Sequence, residues 1–138
     1  MNNKCFLSLI LCVVLGLLVS NTAQAKLANL NEAEKALKKK QWAAAEAVYD
    51  KYFDQMRCSV DCKGYGELFF KKGWCELKQQ KWKEAANSFE QCYKKFLPSL
   101  RNPNKYHKIS LKYWADACFQ MGEYEDAARL YQKYLAEK

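Results

Sequence analysis

The chain has 138 residues, half of them hydrophobic, with 23 basic against 15 acidic side chains and a formal net charge of +8. Two prolines and five glycines among plentiful Lys, Ala, Glu, Gln and Leu favour helix, and the lack of sustained period-two alternation excludes a β architecture. Arg57, Arg101 and Arg129 are the only arginines; a lysine-borne excess suits solubility and weak attraction to anionic envelope surfaces, not the bidentate phosphate recognition of a nucleic-acid partner.

The first element expected is a leader. Met1 to Lys4 gives a short positive head, Phe6 to Val19 is almost unbroken apolar sequence, and Ala23-Gln24-Ala25 places small residues where a signal peptidase reads. The apolar run is shorter than the roughly 20 residues a spanning helix needs. Leu11 stands before Cys12, where lipidation calls for a small residue. Residues 1–25 are therefore expected to be a cleaved secretory signal, sending residues 26–138 to the periplasm or outside the cell as one domain.

Beyond the leader one phrase recurs three times. It reads Lys40-Gln41-Trp42-Ala43-Ala44-Ala45, Gln80-Lys81-Trp82-Lys83-Glu84-Ala85 and Gly122-Glu123-Tyr124-Glu125-Asp126-Ala127. Counted from Trp42, Trp82 and Tyr124, an alanine follows at three, then Tyr49, Phe89 or Tyr131 at seven. Tyr52-Phe53, Cys92-Tyr93 and Tyr134-Leu135 follow at ten and eleven. Those offsets share one stripe of an α-helix. A second helical stretch precedes each phrase, at residues 30–39, 65–79 and 106–121. The anchors lie 40 and 42 residues apart, a solenoid-like period.

These residues resemble the tetratricopeptide repeat (TPR). The phrase from Gly122 to Ala127, with Tyr131 and Tyr134 behind it, is similar to the family's second-helix signature. Ala33, Gly73 and Ala115, nine residues before each anchor, fall on its small first-helix position. Polar Asn29 departs from the large apolar opening held by Phe69 and Leu111, so the first helix is expected to be short or frayed. The resemblance implies an all-α fold: three antiparallel helix hairpins, approximately residues 26–57, 64–97 and 105–138, stacked as a short TPR-like right-handed solenoid. The period exceeds the usual value of about 34 residues, and the surplus fits in turns at residues 57–64 and 97–105. Longer repeats with a Tyr113-Trp114-Ala115 opening resemble the family's bacterial cell-envelope subgroup.

Loss of the leader would leave five cysteines, an odd number for an oxidising compartment. Cys58 and Cys62 flank three residues of the first long turn and form the candidate disulfide. Cys75, Cys92 and Cys118 fall within helices, where cysteine serves as a small hydrophobe, and a Cys75–Cys92 bridge across one hairpin is the alternative. No metal site or cofactor is expected, because a single C-x3-C spacing and one histidine, His107, do not make a ligand set. No nucleophile, paired carboxylates or glycine-rich phosphate loop accompanies His107, so no enzyme activity is expected.

Stacked hairpins present a concave surface lined by their first helices. The family register implies that Phe70, Trp74 and Lys78, with Lys112, Asp116 and Gln120, face this groove. That set suits a peptide with acidic and apolar side chains, although Phe70 and Trp74 would equally suit packing against a neighbouring helix. At the other end Leu130, Tyr131, Tyr134 and Leu135 would be left partly uncovered. They form a candidate interface for a second copy, giving a homodimer, or for another protein, unless the final helix caps itself. The reading that emerges is an exported scaffold binding a protein or peptide through its groove or C-terminal end. The alternative is a structural protein joined covalently to a partner through its odd thiol.

Overall fold

Each recurring phrase opens a helix, and each stretch before it forms the helix that precedes it. The computed structural model describes residues 30–55, 64–95 and 106–137. The expected leader, the two long turns and the Cys58–Cys62 pair lie outside these residues. Six helices are described: α1 (30–38), α2 (Trp42–Gln55), α3 (Tyr65–Lys78), α4 (Trp82–Lys95), α5 (Tyr106–Gln120) and α6 (Tyr124–Ala136). There is no strand among the described residues.

The three hairpin turns are built alike. Ahead of each anchor aromatic, Lys40, Gln80 and Gly122 take left-handed φ values of 57°, 61° and 82°. The next amide in each turn then reaches back five residues: Gln41 to Ala36, Lys81 to Glu76 and Glu123 to Cys118, at 2.9–3.0 Å. This is a Schellman stop, and it satisfies carbonyls that the ending helix leaves open. The same residues accept the first bond of the following helix, from Ala45, Ala85 and Ala127. Only the third turn uses glycine, the residue for which a left-handed φ carries no side-chain cost.

Small residues set the distance between the helices of each hairpin. Ala33, Ala45, Ala85 and Ala115 are fully buried, and Ala127 nearly so. At Gly73 an added Cβ would lie 3.0 Å from the Phe89 ring and 3.1 Å from Ser88 Cβ. Helices α3 and α4 therefore approach more closely there than an alanine permits without a shift. Tyr49 and Phe89 fill the interiors of the first two hairpins.

Stacking carries each core into the next hairpin at a constant register. Cys75 joins the first cluster and Ala117 the second, each seven residues before its own anchor aromatic. The third cluster is closed by Leu111, Cys118 and Leu130 with Trp114 alongside. This is the short TPR-like solenoid expected from the repeat.

Candidate functional site

Two open clefts lie along the stacked hairpins. The first, of about 230 Å³, is walled by Leu37 of α1, Phe70, Lys71 and Trp74 of α3, and Tyr106 and Tyr113 of α5. All three hairpins therefore contribute to it. The second, of about 290 Å³, is walled by Leu77, Trp82, Asp116, Phe119, Gln120 and Tyr131.

Aromatic contacts hold the first cleft. Phe70 meets Tyr106 at 4.6 Å and Tyr113 at 5.9 Å between ring centres, and Trp74 meets Tyr113 edge-on at 5.1 Å. Lysines lie on two of these rings, with Lys78 Nζ 4.6 Å from the centre of Trp74 and Lys112 Nζ 4.7 Å from that of Tyr113. Such placements are favourable because the ring face is electron-rich. Lys71 is fixed at the cleft wall by Glu34 at 2.6 Å and Glu67 at 3.0 Å. Burial opposes its charge, but the two carboxylates outweigh that and raise its pKa.

The second cleft has the opposite sign at its wall. Asp116 accepts from Lys112 at 2.9 Å and from the Tyr131 hydroxyl at 2.5 Å. Burial, then the hydrogen bond to Asp116, pushes the Tyr131 hydroxyl up to about 12. Phe119 is 51% exposed and meets Tyr124, itself 63% exposed, at 5.3 Å.

Four of the six groove residues expected from sequence wall the clefts: Phe70 and Trp74 the first, Asp116 and Gln120 the second. Lys78 and Lys112 stand over aromatic rings of the first. Leu37, Leu77 and Phe119 were missed, although one signal marks them all: each stands five residues before its anchor aromatic.

The four C-terminal candidates do not form one face. Leu130 is 3% exposed and packs inside its own hairpin, and Tyr131 points across to Asp116. Tyr134 is half-buried with Lys108 Nζ 5.3 Å from its ring centre. Leu135 alone stands out, at 77% exposed. The helical period explains the split, because Leu130 and Tyr134 turn back towards α5 while Leu135 falls on the opposite side.

Cys75, Cys92 and Cys118 are free thiols and buried, so the alternative Cys75–Cys92 bridge is not formed. Burial foremost pushes Cys75 and Cys92 up to about 12 and Cys118 to about 11. Neighbouring Glu46 and Glu76 add to the shift of Cys75, and Glu123 to that of Cys118. The thiolate is the reactive form, so these three should resist alkylation until the protein unfolds, as read by mass mapping of labelled peptides. Above an ordinary thiol pKa of about 8.5 the unfolded chain loses these protons before the folded one does. Stability should then fall as pH rises above about 8.5 towards 11. A flat urea midpoint between pH 9 and about 11 would contradict this.

No group of three or more His, Cys, Asp or Glu side chains among the described residues is placed to hold a metal ion. No helix among them is long and apolar enough to cross a membrane.

No protein-family model matches the sequence, and no curated protein matches it. Among solved structures, the fold is similar to the N-terminal domain of stress-induced protein-1 (STI-1) from C. elegans. The TM-score is 0.65 at 16% sequence identity, over 82% of this chain and 84% of that one. At that identity the likeness is one of fold, that of a short helical-repeat solenoid.

Proposed function

We propose that this chain is an exported interaction module that takes an extended segment of a partner protein along the face formed by α1, α3 and α5. The observation that carries this is the pair of aromatic-walled clefts placed in register on successive hairpins. At about 230 and 290 Å³ each is smaller than a typical small-molecule pocket, so each suits one large apolar side chain of a peptide. Lys38 and Lys78, at one register on α1 and α3, make no ion pair among the described residues and are exposed. They favour a segment with carboxylates beside its apolar anchors. Export follows from the expected leader, and the cell-envelope subgroup is the reading that leader and repeat length favour together.

The three buried thiols are poorly placed for a covalent link to a partner, which leaves that route to Cys58 and Cys62. The clefts favour non-covalent binding. Peptides selected from a random display library against the mature protein supply the test. Trp74→Ala is expected to weaken the selected peptides about tenfold or more, the loss of one anchor, with helix content kept and no effect of reductant. Loss of about 3–5 kcal/mol of stability instead would make Trp74 a core residue and remove the first cleft from the reading. The exported species is expected to begin at Lys26 by intact mass.

A further inference from the structure

The two seams between hairpins are made differently. Three ion pairs join one hairpin to another among the described residues, and all three cross the first seam: Lys71–Glu34 at 2.6 Å, Lys72–Asp50 at 2.6 Å and Lys81–Glu46 at 2.8 Å. The last is two-pronged, Lys81 reaching both Glu46 oxygens while Gln79 donates to one of them at 2.5 Å. The second seam has no ion pair between hairpins among the described residues and is made largely of rings: Phe70, Trp74 and Phe89 all meet Tyr113, and Tyr93 stacks on His107 at 4.3 Å while donating to Glu137 at 2.5 Å. Among the described residues the ring contacts of the first seam lie at one end, where Phe53 stacks on Phe69 at 4.3 Å and meets Tyr65 at 5.0 Å, and Cys75 and Leu68 pack on the cluster around Tyr49. Along α2, Glu46 is the paired residue farthest from Phe53.

We infer that the first hairpin is a hinged wall of the first cleft, turning about Phe53 and latched by the Glu46–Lys81–Gln79 contact. The second and third hairpins form the fixed wall. The physical reason is the difference in what each seam loses when it parts. Stacked rings lose buried apolar area, which salt does not relieve. The ammonium and carboxylate groups of the first seam, whose side chains run from 10% exposed at Glu46 to 47% at Asp50, regain water and counterions. Leu37 rides on the hinged side and faces Phe70 and Trp74 across the cleft, so release of the latch widens the cleft. The consequence for ligand affinity rests on the groove reading above; the hinge itself does not.

Hydrogen exchange on the ligand-free chain therefore tests it, since a helix pair this short does not hold its amides once undocked. Raising NaCl from about 0.05 to 1 M, where the screening length drops to about 3 Å, should speed exchange in α2 several-fold and leave α5 and α6 unchanged. Lys81→Glu should do so at low salt by about tenfold, and the swapped pair Glu46→Lys/Lys81→Glu should restore slow exchange, as coupled charges do. Glu46→Gln, which keeps the shape of the latch, should give a smaller increase confined to α1 and α2 should Lys81→Glu fail to fold. Equal acceleration in all six helices, no salt response in α2, or a swapped pair no slower than Lys81→Glu would overturn the hinge. Loss of peptide binding with the exchange pattern intact would count against the groove reading alone.

Discussion

Phe89→Ala should lower the free energy of unfolding by about 3–5 kcal/mol, the range for deleting a fully buried aromatic ring. Phe89 is 0% exposed and touches more than its own hairpin. It meets Phe70 and Tyr113 at 5.6 Å each, and it approaches the Gly73 backbone so closely that α3 has no room to settle into the vacated space from an ordinary helix distance. The cavity would therefore persist, and both the second hairpin and its seam with α5 would loosen. Tyr131 holds the equivalent place in the third hairpin but is half-buried, with its hydroxyl on Asp116 and its ring on a cleft wall. Tyr131→Ala should cost less than half as much. Urea unfolding of the two variants gives the comparison, and equal losses would show that burial at this register does not set the energy.

The contrast between those two residues also shows what could be read from the chain alone. Helices, turns and the small close-packing positions were legible because they depend on local chemistry repeated three times. Each anchor aromatic does open a helix, and Ala33, Gly73 and Ala115 do sit where neighbouring helices press together. Of the cleft walls, Phe70, Trp74, Asp116 and Gln120 were among the residues singled out from the repeat, while Tyr106 and Tyr113 were hidden. Those tyrosines reach the first cleft from another hairpin, and a repeat read one unit at a time says nothing of what the next unit contributes. The C-terminal set went astray for a related reason. Four apolar residues close in sequence were grouped as one face, but helical rotation sends Leu130 inward and Leu135 outward.

The largest unread feature is a charge in the core, at Glu76. Its sister positions six residues before the anchors are Ala36 and Cys118, both buried, and Glu76 is itself 2% exposed. Lys72 Nζ is 3.5 Å from one of its oxygens and also holds Asp50, while the other oxygen has no hydrogen-bond partner. Burial raises the Glu76 pKa, and hydrogen bonding from Ser88 and the Lys72 charge only partly pull it back. Lys72→Met removes the cation that, among the described residues, is paired with a carboxylate water cannot reach. The expected loss is about 3 kcal/mol near pH 8, at the low end for breaking a buried pair because Lys72 is 21% exposed at its side chain.

The pH dependence separates this cause from lost packing. With its folded pKa raised, Glu76 holds its proton to higher pH than in the unfolded chain. Its contribution is therefore favourable below the unfolded value of about 4.3 and is lost as pH rises through the folded pKa. Removing Lys72 raises that folded pKa further, so the deficit of the variant relative to wild type should shrink on acidification from pH 8 towards about 5. Replacing both members, as Lys72→Met/Glu76→Leu, should return stability to within about 1 kcal/mol of wild type at pH 8, since an apolar pair of similar volume needs no counter-charge. A deficit that stays constant with pH, and that the second substitution does not repair, would assign the loss to the packed stem of Lys72 and its pair with Asp50. The buried charge at Glu76 would then be a tolerated defect.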